Sequence, residues 1–245
     1  MPSFTQILNT SRIGMLSRLM NLDVVSHNLS NVSTTGFKRG RANFQEMLET
    51  QQLGGVQVQS TQFMMQQGTL QKTENPLDLA VQGDGFFSIQ LPDGRPAYTR
   101  DGRFYLDANS QIVTSDGFQL VWQGQVPAGA EDVRIDNHGT VHALQNGEWT
   151  ELGTIQLARF ANPSGMTRYG QNTWLETPIS GAAQVGAAGA QGVGTILSST
   201  LEGSNVNMAE EMVTMMNLQR SFEVSLRTFQ QTDQMLGEAI HMRRA

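Results

Sequence analysis

From Met208 onward, apolar side chains recur in alternating steps of four and three: Met208, Met212, Met215, Gln219, Phe222, Leu226, Phe229, Asp233, Leu236 and Ile240. This is the a/d seam of a heptad repeat, interrupted only by the polar Gln219 and Asp233. It predicts a helix over Val206 to Met242, roughly 55 Å long at 1.5 Å per residue. Near the start, Phe4, Leu8, Ser11, Met15, Arg18, Leu22, Val25 and Leu29 keep the same spacing, beside a second stripe of Ile13, Leu16, Met20 and Val24. An isolated helix is marginal in water and draws its stability from covering its apolar stripe. A helix with two stripes therefore needs more than one partner. The C-terminal seam fits a helical hairpin within one chain as well as a bundle between chains, and the doubly striped N-terminal helix favours assembly.

Between the helices the pattern changes twice. Ser30 to Gly36, SNVSTTG, is a run of small polar residues ended by glycine, which signals a helix stop and a turn. Residues 37–75 read as a glutamine-rich connector, with a short helical piece at 42–52 and extended chain after Gly54-Gly55. From Pro76 to about Ile179, short apolar or alternating runs such as Phe86 to Ile89, Ala97 to Thr99 and Thr154 to Leu157 lie between turn signals. Those signals include Asp93-Gly94, Asp116-Gly117 and Asn146-Gly147. Strands at this spacing predict an antiparallel sandwich or barrel. Gly181 to Gly194, rich in Gly, Ala and Gln, reads as a flexible surface loop.

The fold class expected is α+β and discontinuous. Paired N- and C-terminal coiled-coil helices (1–31 and 206–245) form a helical axial core, joined by an extended connector (32–75 and 195–205) to a central antiparallel β-rich domain (76–194).

Composition removes several functions. A formal charge of -6 and a pI near 5.2 argue against a nucleic-acid partner, which normally demands a basic face. The local Lys38, Arg39, Arg41 group reads as a solvated loop. There are no cysteines, which excludes disulfides, thiol catalysis and cysteine-held metal. The 13 methionines include Met208, Met212, Met215, Met216 and Met235 on the C-terminal helix, where they suit packing against non-identical neighbours. No apolar stretch of membrane-spanning length is present. No apolar core precedes a small-residue cleavage site, so no cleavable secretory leader is expected.

Catalytic chemistry has no visible foothold. His27, His138, His142 and His241 fall on different expected elements, and the Asp-Gly pairs lack the spacing of a calcium loop. The glycines around Gly192 to Gly194 have no following Gly-Lys-Ser/Thr of a phosphate loop. No catalytic, cofactor-binding or metal-binding residue is expected, and no cofactor.

Val24 to Arg39, VVSHNLSNVSTTGFKR, resembles the N-terminal signature of bacterial flagellar rod and hook proteins, through Asn28, Ser30, Asn31, Thr35, Gly36 and Phe37. Asn75 to Ile89 (NPLDLAVQGDGFFSI), Tyr98 to Phe104 (YTRDGRF) and Leu201 to Glu223 (LEGSNVNMAEEMVTMMNLQRSFE) resemble later blocks of the same family, so the likeness spans essentially the whole chain. TTGFKRGRANFQEML and NLQRSFE are most similar to the distal-rod branch, and LEGSNV is shared with the proximal one, which stands as the alternative within the family.

The resemblance implies a structural axial subunit of the basal-body rod, a helical homopolymer forming a tube that transmits torque and conducts exported subunits. It implies contacts with other rod and hook proteins, with surrounding bushing rings and with the type III export apparatus. The expected assembly interface is Phe4, Leu8, Met15, Leu22, Val25, Leu29, Met208, Met212, Met215, Phe222, Leu226, Phe229, Leu236 and Ile240. The expected motif residues are Asn28, Asn31, Gly36 and Phe37, with the two asparagines capping the helix end. A reading from a different class is a soluble β-rich binding module with helical dimerisation arms.

Overall fold

The computed structural model describes the backbone of residues 4–47, 55–190 and 192–244, and the side chains of all these except 4–10, 44–47, 55–60, 236 and 238–244. The fold is α+β and divides into two compact units. The first takes residues 1–32, 39–64 and 206–245, and the second takes 33–38 and 65–205. The backbone thus passes between units at 32/33, 38/39, 64/65 and 205/206.

In the first unit, helix α1 (Phe4–Ser30) and helix α2 (Met208–Arg244) pack on each other. Arg18, a polar break in the N-terminal stripe, reaches across to α2, where its Nη1 donates to Ser221 O at 3.3 Å and to the Ser225 hydroxyl. The α2 start is capped by Asn207, whose Oδ1 accepts from Ala209 N (3.1 Å) and Glu210 N (3.4 Å). Glu210 and Glu211 in its first turn suit the positive end of the helix. At the C-terminus of α1, Asn31 Nδ2 donates to the carbonyl of His27 at 2.8 Å and closes the helix.

A hairpin of β1 (Gly40–Met47) and β2 (Gly55–Phe63) completes this unit. Its antiparallel register runs from Gly40↔Phe63 to Met47↔Gly55, with a bulge at Asn43/Phe44. This corrects the helical reading of 42–52: residues 42–47 are strand, and 48–52 lie outside the described residues. The alternating Val56-Gln57-Val58-Gln59 supplies a partner whose ladder outweighs the mild helix preference of Gln45, Glu46 and Met47.

The second unit is built of antiparallel strands. Its large sheet runs in the order 132–135, 140–145, 148–159, 86–90, 96–99, 173–175 and 167–170. Residues of these strands and of the shorter strands 79–82, 104–106, 112–114 and 195–198 fill one core, with Leu79, Phe87, Ile89, Phe104, Ile112, Val141, Ile155, Leu157 and Ile196 fully buried. Phe87 and Phe104 meet edge to face at 5.2 Å. Asn146 and Gly147 both take positive φ (53° and 82°), which a two-residue hairpin turn requires.

Gly181 to Gly194 is also corrected. Its described residues include a strand, Gln184–Ala187, paired with Gln156 to Arg159, followed by a turn in which Gly189 N donates to Gly194 O at 2.9 Å. Backbone ladders hold this segment where its small side chains do not. Two short ladders bind the returning chain to the outgoing one. Thr195–Ser198 pairs with Leu79–Gln82, and Thr200–Glu202 pairs with Leu70–Lys72.

Candidate functional site

Glu202 of LEGSNV ends the last short strand of the second unit with its side chain fully buried. Lys38 of TTGFKR, also fully buried, places Nζ 2.5 Å from Glu202 Oε1, and Arg100 of YTRDGRF places Nη1 3.1 Å from Oε2. Gly68 N donates to Glu202 Oε1 at 2.8 Å. Lys38 Nζ donates further to Gln66 O at 2.8 Å, and Arg100 Nη2 donates to Gly83 O at 2.7 Å. The Arg100 guanidinium lies over Phe86, 5.0 Å from the ring centroid. Burial pushes Lys38 and Arg100 below their usual ranges, and Glu202 opposes the shift in both.

Lys38 is therefore not part of a solvated loop. Its counter-charge lies far along the chain, so the local sequence, with Arg39 and Arg41 beside it, looked like exposed basic surface.

The turn before Lys38 is fitted to the same place. Gly36 takes φ 65°, and its N–H donates to the Glu202 backbone carbonyl at 2.6 Å. A Cβ on Gly36 would lie 2.5 Å from Arg100 C, so only glycine lets the two backbones approach. Phe37 is buried, with the Arg168 guanidinium 5.4 Å from its ring centroid. Thr35 O accepts from Asn172 Nδ2 at 2.8 Å. Thus three blocks far apart in sequence converge on one carboxylate.

The first unit has its own polar centre. Asn28 is buried, and its amide makes a two-way bond with Gly40: Oδ1 accepts from Gly40 N and Nδ2 donates to Gly40 O, each at 2.9 Å. Nδ2 also lies 3.3 Å from Glu211 Oε2. Arg39 Nε sits 2.6 Å from Glu211 Oε1, and Arg39 Nη1 3.6 Å from Glu210 Oε1. Asn31 caps α1, whereas Asn28 fastens α1 to the root of β1. The expectation that both asparagines serve the helix end is corrected for Asn28.

The seam residues divide by exposure. On α1, Val25 is buried and Met15, Leu22 and Leu29 are half-buried. On α2, Met215, Phe222 and Phe229 are half-buried, while Met208, Met212 and Leu226 stand exposed. Leu16, Leu19 and Met20 of α1 are exposed as well, as are Val213, Met216 and Val224 of α2. Phe4, Leu8, Leu236 and Ile240 lie on the helices, outside the residues whose side chains are described.

Among the described residues no cluster of three metal-ligating side chains occurs. No described helix is long and apolar enough to cross a membrane. Sequence reasoning missed the Lys38–Glu202–Arg100 cluster, although each member sat in a block singled out for its resemblance. The usable signal was Glu202, the one charge in the otherwise uncharged LEGSNV block.

Three family profiles match in chain order. They are the "Flagella basal body rod protein" profile at 8–38, the "Flagellar hook protein FlgE/F/G D1 domain" at 80–143, and the "Flagellar basal body rod FlgEFG protein C-terminal" at 197–242. The flagellar basal-body rod protein FlgG of Buchnera aphidicola subsp. Acyrthosiphon pisum is 38% identical over 247 residues, covering 92% of this chain and 95% of its own. The FlgG proteins of Borreliella burgdorferi and Caulobacter vibrioides are each 38% identical, covering 96% and 97% of this chain and 97% and 99% of their own.

Proposed function

This chain belongs to the family of flagellar basal-body rod proteins, and from that premise we propose that it polymerises into the wall of a helical tube. It is a structural subunit of the rod, of the distal-rod type, and not an enzyme. It assembles with other rod and hook proteins in the basal body. The soluble-module reading gains nothing from relatives that match through both helical ends.

The observation that carries the polymer is the apolar surface left on both helices. Leu16, Leu19 and Met20 are about half exposed at 47%, 45% and 53%, and Met208, Met212 and Met216 stand at 50%, 48% and 47%. Contiguous apolar surface of this kind marks an interaction site, and a head-to-tail contact that does not close into a ring builds an open filament. In this proposal the α1–α2 pair is the coiled-coil axial core, its outer stripes covered by neighbouring copies.

The finished tube transmits torque and conducts exported subunits. Export through the growing structure by the type III route, and contact with bushing rings, belong to the same proposal. Sedimentation of the full-length chain across a concentration series, with electron microscopy of the product, tests it. Monomer giving way to helical filaments supports the reading, and a dimer that persists without filaments refutes it.

A further inference from the structure

The second unit gathers the chain ends through which it continues into the other. Lys38, Gln66 and Asn205 lie next to three of the junctions, and in this unit they are tied to one another. Lys38 Nζ donates to Gln66 O (2.8 Å), Asn205 Nδ2 donates to the same carbonyl (3.0 Å), and Asn205 N donates to Phe37 O (3.3 Å). Glu202 stands behind all of them. Its side chain takes Lys38, Arg100 and Gly68 N, and its backbone carbonyl takes Gly36 N. Phe37 is the one fully buried apolar side chain among segments 34–38, 65–68 and 200–205. The main core lies in the large sheet, and Leu70, Gln71 and Lys72, which form the ladder beside Glu202, are exposed.

We propose that Glu202 is the keystone of an ionic latch: its carboxylate holds segments 34–38, 65–68 and 200–205 in place, and without it they open locally while the large sheet stays folded.

Charge counting gives the latch a distinctive asymmetry. Two buried cations share one buried carboxylate. Removing the carboxylate leaves both cations unpaired in a place that excludes water, which is far worse than removing one cation. Arg100 would keep only the carbonyls of Val81 and Gly83, the face of Phe86 and the more distant charge of Asp84, and its Nε finds no acceptor among the described residues. Replacing Lys38 instead leaves Arg100 and Glu202 as a neutral pair with Gly68 N still bound. A cluster serving only bulk stability would loosen the whole unit to the same extent. A latch loosens one corner.

Amide hydrogen exchange on the full-length chain, kept dilute, separates the two. The reporters are Gly36, Gly68, Gly203 and Asn205, set against Phe87, Ile89 and Leu157 in the large sheet. In Glu202→Gln the four reporter amides should lose at least tenfold protection relative to the sheet amides, and in Lys38→Met the loss should be several-fold smaller. Should Glu202→Gln fail to fold, Glu202→Asp keeps the charge but shortens the reach, and the selective loss should then appear at Gly68. Equal loss at reporters and sheet, or unchanged protection at the reporters in these variants, overturns the latch.

Discussion

Asn28 and Gly40 bond to each other as two residues of a β-ladder do, except that one contributes its side-chain amide in place of its backbone. Both bonds are 2.9 Å long and buried. An amide is required because it must accept from an N–H and donate to a carbonyl at once, with Glu211 Oε2 on the donor side. In Asn28→Asp, a carboxylate would face both the Gly40 carbonyl and Glu211. The variant should lose about 3 kcal/mol from the first unit, the cost of an unpaired buried charge-bearing partner. Denaturant melts read on the helices would measure it, and a variant as stable as the parent would show the two-way bond to be incidental.

Gly36→Ala puts a Cβ against the Arg100 and Asp101 backbone at 2.5 and 2.6 Å, at φ 65°. The left-handed conformation alone costs roughly 1–2 kcal/mol for a non-glycine residue, and the clash with main chain adds to it. Gly94→Ala, with φ 83° but open space around it, should show only the conformational part. Comparable losses from the two substitutions would mean that the turn moves freely away from Arg100.

Burial holds the Lys38 ammonium below the usual lysine range, against the pull of Glu202 and with some help from Arg100. The unfolded chain therefore binds the Lys38 proton more tightly than the folded one. Between the folded pKa and the unfolded value near 10.5, unfolding takes up protons, so this group's cost to stability falls as pH rises through that window. Raised pH should thus favour the parent over Lys38→Met, which lacks the group. Tyr98, whose pKa burial raises, titrates in both proteins and cancels in the comparison. Stability of each, measured by urea melts from about pH 7 to about pH 10, gives the difference directly. A difference that shrinks with rising pH contradicts the buried, proton-shedding lysine.

What could be read along the chain follows from how local its cause is. The heptad spacing of α2 and the turn chemistry of Asn146-Gly147 are written in neighbouring residues, and both elements stand where that spacing puts them. The β1–β2 hairpin was missed because residues 42–47 are helix-tolerant, and only their pairing with 55–61 makes them strand. The ion cluster was missed for a stronger reason. Glu202 lies 164 residues from Lys38 and 102 from Arg100, and nothing beside Lys38 shows that a carboxylate will bury it. Asn28 shows the same limit: a polar residue near a helix end reads as a cap unless its cross-chain partner is known.

Leu226→Asp should abolish polymerisation while leaving the β-rich unit folded. Leu226 is 39% exposed in the single chain, so the charge is tolerated there. Covered by a neighbour, it would be an unpaired buried carboxylate costing several kcal/mol at every subunit contact. Circular dichroism verifies the fold, and pelleting reads the polymer. Normal filaments from this variant would remove Leu226 from the interface.

Because the chain has no cysteine, a single introduced thiol reports burial without background. Leu226→Cys, at a position exposed in the lone chain, is the most direct probe of the claim that neighbouring copies cover the outer helix face. Its labelling rate with a maleimide should be that of an accessible thiol in dilute monomer and at least tenfold slower in the assembled filament. A Tyr105→Cys control, followed alongside, verifies that the filament admits the reagent. Equal labelling of the Leu226→Cys variant in monomer and filament would contradict the account.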